Sequence, residues 1–373
     1  MDLKTMGRIR VDENTAKLLS PIIMNYYDDI RESIARRLHI VVDQISSHRI
    51  TDLIKHTGAG GQTFIIQTEF QADLGKSIRK IKGGIVVKFP KEDLQTEIEN
   101  AQTLEMVLKK RQQEWKQSFS NHPNKDYLDQ FPRIVFSPKI LGVHESIKCI
   151  VLEFLSNYTP LLGNQEFSEP YLLQLLGYSL GRLHGSQTYT PAMQLYEPLF
   201  NYLQQMNIDR SVIDYWKDIL SNSKGGVQVI HGDSHLENIL FIKPEAIAMI
   251  DALLIPRGER MDDVGYAISH IIQESVAKET KENPDASIQT ILNDQIKHVL
   301  SRIVPYVLSS YMKTSGITSL YTEDIPIDFF LGTHLIIRSG LWEEKVRNIL
   351  YMLGVTFLME KKVNSMIKYM KSG

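Results

Sequence analysis

The chain of 373 residues carries 42 Lys and Arg against 44 Asp and Glu, a net charge of −2, with 43% hydrophobic and 23% charged residues. That balance describes a globular protein of two or three domains and gives no reason to expect nucleic acid or an anionic membrane as a partner. No run of about 18 apolar residues occurs, the N-terminus has no apolar h-region, and Cys149 is the single cysteine. The expectations are no membrane span, no secretory signal, no internal disulfide and a cytoplasmic location.

Residues 12 to 45 read mostly as helix, with Leu18, Ile22, Tyr26, Ile30, Ile34 and Leu38 at helical spacing. From Ile50 to Phe89 the period becomes strand-like: strand, a turn at Gly58, Gly60 and Gly61, strand, a polar hairpin at Leu74 to Lys80, and a third strand GGIVVKFP. Such glycines let a backbone turn approach a phosphate closely, although a glycine cluster between strands is more often a plain hairpin. Lys88 ends the apolar run Ile85-Val86-Val87, where a charge is costly without a partner.

The next segment places Leu94, Ile98, Ala101, Leu104 and Leu108 on one helical stripe, and Glu97 lies inside it. A carboxylate on the buried side wants a cation, which makes Glu97 the expected partner of Lys88, with Glu105 as the second choice. Lys109 to Gln130 reads as a polar insertion, a helical extension followed by a loop. FPRIVFSPKILGV and KCIVLEFL then read as two strands of the same sheet. PYLLQLLGYSLGRLHGSQ is an amphipathic helix whose Gly177 and Gly181 permit close packing, and His184 reads as a packed or capping histidine. Pro191 to Ser223 is a helical insertion with an aromatic set, Tyr196, Phe200, Tyr202, Tyr215 and Trp216, more often core than cofactor stack.

Val227 to Leu254 holds the densest chemistry. Apolar strands flank one polar loop with His231, Asp233, His235, Glu237 and Asn238, and a third strand, after a turn at Lys243-Pro244, ends on Asp251. Asn238 follows Asp233 by five residues and Asp251 follows Asn238 by thirteen. Phosphoryl transfer needs such groups: one carboxylate to orient and deprotonate an acceptor hydroxyl, and an Asn and a second Asp as hard oxygen ligands for Mg²⁺. Four fixed letters at about 1 in 20 each arise by chance in well under ~1% of chains of this length. His231 and His235 are four apart on a loop, with no further His or Cys cluster to suggest zinc.

The order Asp, Asn five on, then a metal-binding Asp is shared with protein kinases. Here, however, Gly232 replaces the Arg of HRD and Ala252-Leu253 stand where Phe-Gly would follow. HGDxHxxN followed by ID instead resembles the aminoglycoside phosphotransferase/choline kinase family of kinase-like small-molecule phosphotransferases. That resemblance implies an α+β, two-lobed kinase-like fold, with an N-terminal antiparallel sheet plus helix over residues 1–155 and a mainly helical C-terminal lobe over 156–373. It also implies ATP and Mg²⁺ bound in the cleft, and transfer to a hydroxyl of a small molecule (an amino alcohol, a sugar or an aminoglycoside-like acceptor). Asp233 is then the catalytic base and Asn238 and Asp251 the metal ligands. Lys88 with Glu97 holds the phosphates, the Gly58–Gly61 turn covers them, and main-chain groups of Glu153 to Leu155 meet the adenine edge.

The family pattern Gly-x-x-x-x-Asp falls on Gly258 and Asp263, which assigns Asp263 to bracing the catalytic loop; Met261 and Asp262 have no evident place in that pattern. His231 is expected to orient the loop backbone, and His235 to serve loop packing or the acceptor. A polar break at Lys278 to Asn283 and a mostly helical remainder complete the chain, where Glu343 and Glu344 read as helix-start glutamates. A nucleotide-binding pseudokinase scaffold and a protein kinase are the alternative readings.

Overall fold

The alternating pattern folds as three long antiparallel strands, β1 (Ile45–Gly58), β2 (Gly61–Asp73) and β3 (Ile78–Pro90). The computed structural model describes residues 19, 21–22, 25–38, 41–58, 61–73, 77–91, 93–155, 159–161, 168–242, 246–316 and 325–372. Period 2 is explicit in β2, where Phe64, Ile66, Thr68, Phe70 and Ala72 point inward and their neighbours outward. The helix α1 (Tyr27–Leu38) lays Ile30 and Ile34 into the same core as Ile45, Ile85, Val87 and Val151. The expected helix across 12–45 ends at Leu38, and by Ile45 the chain is already in β1. Arg31 ties that junction by donating to the carbonyls of Val42 and Ile45.

After β3 the helix α2 (Leu94–Ser118) runs on through the stretch expected as an insertion, and a short α3 (Lys125–Leu128) follows. The chain divides into two units, Met1–Glu105 with Ser137–Tyr158, and Met106–Phe136 with Thr159–Gly373. The second half of α2 belongs to the second unit because its side chains are spent there: Arg111 donates to the carbonyl of Leu183, and the Trp115 ring meets Tyr178 edge-on at 6.1 Å.

FPRIVFSPKILGV is not one strand of one sheet. β4 (Ile134–Phe136) joins the second unit, whereas β5 (Ile140–His144) and β6 (Cys149–Glu153) complete the five-stranded sheet in the order β1-β2-β3-β6-β5. Pro138, which cannot donate to a ladder, sits at the division.

The second unit is mainly helical. A small sheet runs β4-β10-β9-β7, with β7 at Thr159–Pro160, β9 at Ile239–Ile242 and β10 at Ala246–Met249, and a two-residue pair joins β8 (Val229–Ile230) to β11 (Ile255–Pro256). Its helices are α4 (Glu169–His184), α5 (Glu197–Gln205), α6 (Arg210–Asn222), α7 (Arg260–Glu282), α8 (Ile288–His298), α9 (Val304–Ser315), α10 (Ile327–Ser339), α11 (Glu344–Glu360) and α12 (Lys362–Ser372). The break expected at Lys278–Asn283 lies later, because α7 continues through Glu282. The aromatic set of α5 and α6 is core: Tyr196, Phe200 and Trp216 are buried, packed with Phe329 and Phe330 of α10. The turn at Lys243-Pro244 and the hairpin residues 74–76 lie outside the described residues.

Close approach of α4 and α9 depends on Gly177, since a Cβ there would sit 2.1 Å from the carbonyl oxygen of Val307. Gly177→Ala therefore forces two backbones apart, and a loss toward the top of the ~1–3 kcal/mol range for overpacking is expected. The check is the urea midpoint at unchanged m-value.

Candidate active site

The loop after β8 is built around one buried carboxylate. Asp263, in the first turn of α7 and 1% exposed, accepts hydrogen bonds from the backbone N–H of His231 (2.7 Å) and of Gly232 (2.8 Å). Its main-chain carbonyl accepts from the Ser234 hydroxyl. His184 closes the brace from α4, with Nε2 2.9 Å from Asp263 Oδ2 and Nδ1 2.9 Å from the Tyr311 hydroxyl. Burial holds His184 below its ordinary pKa despite Asp263, so the imidazole is neutral, donating from Nε2 and accepting at Nδ1. For Asp263 burial alone would raise the pKa, but the hydrogen bonds from His184 and from the His231 backbone N–H keep it below the usual carboxylate range.

Gly232 takes φ +78 beneath Leu253, whose Cβ would lie 3.1 Å from a side chain placed there. That conformation favours glycine and turns the loop sharply enough for the carbonyl of His231 to accept from both Leu253 and Leu254. The strand expected to end on Asp251 stops at Met249, and Asp251 occupies a left-handed turn at φ 53. A bond from Ile250 N–H to the Asn238 carbonyl (3.0 Å) ties the turn that carries Asp251 to the segment that carries Asn238.

Asp233 projects from this frame with its side chain 27% exposed. The Tyr266 hydroxyl donates to Oδ1 at 2.6 Å, Asn238 Nδ2 donates to Oδ2 at 3.1 Å, and His235 Nε2 lies 3.6 Å from Oδ2. Burial would raise this carboxyl, but the His235 imidazole beside it and the hydrogen bond from Tyr266 outweigh it and hold Asp233 at about 2. Asp233 is thus an anion that accepts and orients at any ordinary pH. Asn238 Nδ2 also donates to the Asp233 carbonyl, which orients its amide so that the oxygen is turned away from Asp233. An amide oxygen and the Asp251 carboxylate are the hard donors that Mg²⁺ takes, so the residues present fit that ion.

Tyr266→Phe removes a donor to the charged form, so the Asp233 pKa should rise from about 2 by roughly one unit, read by carboxyl NMR titration. The sign follows the depressed value. The stability Asp233 contributes is full above its unfolded pKa near 4 and lost as pH falls through about 2, and the variant narrows that window.

The remaining expected residues fall as follows. His231 is fully buried, and its Nδ1 accepts the Asp233 N–H at 3.3 Å. His235 lies between Asp233 and Glu237, with Nδ1 3.8 Å from Glu237 Oε2, and stacks on His270 with centroids 5.1 Å apart. Burial, with the charge of Arg338, pushes His270 down to about 3. Asp262 pairs with His334 at 2.7 Å, Met261 is buried, and Arg338 stacks over the Tyr266 ring at 4.5 Å.

In the first unit, Lys88 is 9% exposed on β3 and its Nζ meets Glu97 Oε1 at 2.5 Å, with Glu97 in the first turn of α2. Gly58 and Gly61 are paired residues at the facing ends of β1 and β2, and Gly60 lies outside the described residues. Glu153 ends β6 with its N–H donated to the Lys139 carbonyl, and Leu155 follows two residues on. Tyr266, His184 and His270 are the participants sequence reading did not assign to the site. Tyr266 stands at i+3 from Asp263, the helical spacing that would have put both on one face.

Compared with known proteins, the chain matches no family model, and no curated protein matches it in sequence. Among solved structures it is similar to a choline/ethanolamine kinase family protein from Mesorhizobium loti, with TM-score 0.45 and 11% identity over 87% of this chain and 93% of that one. An ethanolamine kinase of Plasmodium vivax gives TM-score 0.44 and 14% identity over 96% and 93%. An aminoglycoside phosphotransferase from Alicyclobacillus acidocaldarius gives 0.38 and 13% over 89% and 94%. At these identities and scores the likeness concerns the course of the backbone alone. The fold itself is α+β in the expected order, an antiparallel sheet with its helix followed by a mainly helical unit.

Proposed function

We propose that this protein is an ATP-dependent phosphotransferase that moves the γ-phosphoryl group to a hydroxyl of a small molecule such as an amino alcohol, a sugar or an aminoglycoside-like acceptor. The observation that carries the reading is the state of Asp233: an ionised carboxylate, partly open to solvent, aimed by Tyr266 and Asn238 on a loop that Asp263 holds rigid. Asp233 accepts a hydrogen bond from the acceptor hydroxyl and takes its proton as that oxygen bonds to the γ-phosphorus, while the bond from the γ-phosphorus to the β,γ-bridging oxygen breaks and ADP leaves.

Asn238 and Asp251 are the residues that would hold Mg²⁺, which when bound neutralises charge on the β- and γ-phosphate oxygens. Lys88, positioned by Glu97, is assigned to the nucleotide phosphates, and the Gly58–Gly61 turn to covering them. The adenine edge is assigned to main-chain groups of Glu153 to Leu155, of which the Glu153 N–H donates to the Lys139 carbonyl. His231 keeps the loop backbone in register by accepting at Nδ1, and His235 orients the Asp233 carboxylate.

The test has two readouts, ADP release from ATP across a panel of hydroxylated metabolites and equilibrium ATP binding with and without Mg²⁺. Wild-type protein should bind ATP about tenfold or more tightly with Mg²⁺, and Asp251→Asn should remove most of that gain. Binding indifferent to Mg²⁺ in both proteins would overturn the metal assignment.

A further inference from the structure

Beside Asp233 the structure gathers three groups that the proposed phosphoryl transfer does not use as ligands. His235 and Glu237 come from the loop and His270 from α7, thirty-five residues after His235, and one ligand atom of each lies within 4.8 Å of the other two. We propose that His235, Glu237 and His270 form a second cation site, selective for a transition metal such as Zn²⁺ and separate from the oxygen ligands Asn238 and Asp251.

Donor chemistry is the first argument. Two imidazoles and one carboxylate suit Zn²⁺, whereas Mg²⁺ and Ca²⁺ take oxygen ligands. The second argument is unmet bonding capacity. The Nδ1 atoms of His235 and of His270 are buried without a hydrogen-bond partner among the described residues, and His270 is only 8% exposed. A buried polar atom left unpaired is costly, so two such nitrogens in one cluster call for a shared electrophile.

The third argument is orientation. His235 Nε2 faces Asp233 Oδ2 at 3.6 Å, and Nδ1 faces Glu237 Oε2 at 3.8 Å. A proton on Nε2 directed at Asp233 leaves the lone pair on Nδ1 toward Glu237, the carboxylate–histidine–metal arrangement that fixes the tautomer of ligating histidines. The Glu237 side chain is 43% exposed, which gives it room to swing onto a cation and gives the ion a path from solvent. Three protein ligands leave a fourth position for water. The loop spacing of His231 and His235 concealed this set, because its third member arrives by tertiary packing.

The site stands or falls independently of the phosphoryl-transfer reading. The full chain, stripped of metal by a chelator, is titrated with Zn²⁺ alone in millimolar Mg²⁺ against a chromophoric competitor, and with Co²⁺ for its visible bands. The expected result is one Zn²⁺ per chain, undisturbed by Mg²⁺, with four-coordinate Co²⁺ absorption. His270→Ala and Glu237→Gln should each weaken binding by at least ~10-fold, the lower end of what second-shell changes at metal sites cost. Glu237→Gln alters a half-exposed side chain and should keep the wild-type circular dichroism, so it decides the matter if His270→Ala is poorly folded. Absence of a one-equivalent Zn²⁺ site, its displacement by Mg²⁺, or binding unchanged in Glu237→Gln overturns the proposal.

Discussion

Replacing Asp233 with Asn is expected to lower the rate of phosphoryl transfer by ~10²–10⁴-fold, the range a positioned general base contributes, while the fold persists. The change removes one negative charge and adds no volume. Tyr266 can still donate to the remaining oxygen, Asn238 Nδ2 keeps its bond to the main-chain carbonyl of residue 233 when it loses Oδ2, and the side chain is 27% exposed. Loss of stability should stay within about 2 kcal/mol, in the range of ordinary point substitutions. The pair of measurements is kcat at saturating ATP and acceptor, and the thermal midpoint of the same preparation. A rate unchanged from wild type would remove Asp233 from the role of base.

Asp263→Ala should act in the opposite way, through stability first. The carboxylate is 1% exposed and accepts from two backbone N–H groups and one imidazole, and its truncation leaves two buried donors and the part-buried Gly232 N–H without an acceptor. Each stranded group costs about 1–3 kcal/mol, and breaking a buried charged network typically costs ~3–5 kcal/mol. A loss of that size should appear as a lower denaturant midpoint, together with loss of nucleotide-dependent activity at temperatures where the variant is still folded. Asp263→Asn should recover only part of it, because one amide oxygen replaces two and the amide NH₂ faces other donors. A midpoint within about 0.5 kcal/mol of wild type would mean the loop does not depend on this brace.

The contrast between these two residues mirrors what could be read from the chain. His231 to Asn238 is contiguous, so its chemistry was legible as a string, and Lys88 and Glu97 are nine apart on elements whose periods set their facing. Asp263 was visible through the family resemblance alone. What stayed hidden came from long-range packing: His184 reaches Asp263 from 79 residues away, and Tyr266 reaches Asp233 from 33. The division of β4 and β5 between two sheets is not legible either, because a short apolar run does not state which strand it pairs with. Asp251 two residues beyond its strand is a case of local turn geometry, φ 53, that β propensity does not describe.

Transfer of a phosphoryl group to a small hydroxylated acceptor is read directly by ³¹P NMR of the complete reaction. Full-length protein with ATP, Mg²⁺ and each member of a panel of amino alcohols, sugars and aminoglycosides should convert the γ-phosphate resonance of ATP into one phosphomonoester resonance. That resonance should grow in step with ADP and vanish in Asp233→Asn. No phosphomonoester with any acceptor, from wild-type protein that binds ATP and Mg²⁺, would contradict the account.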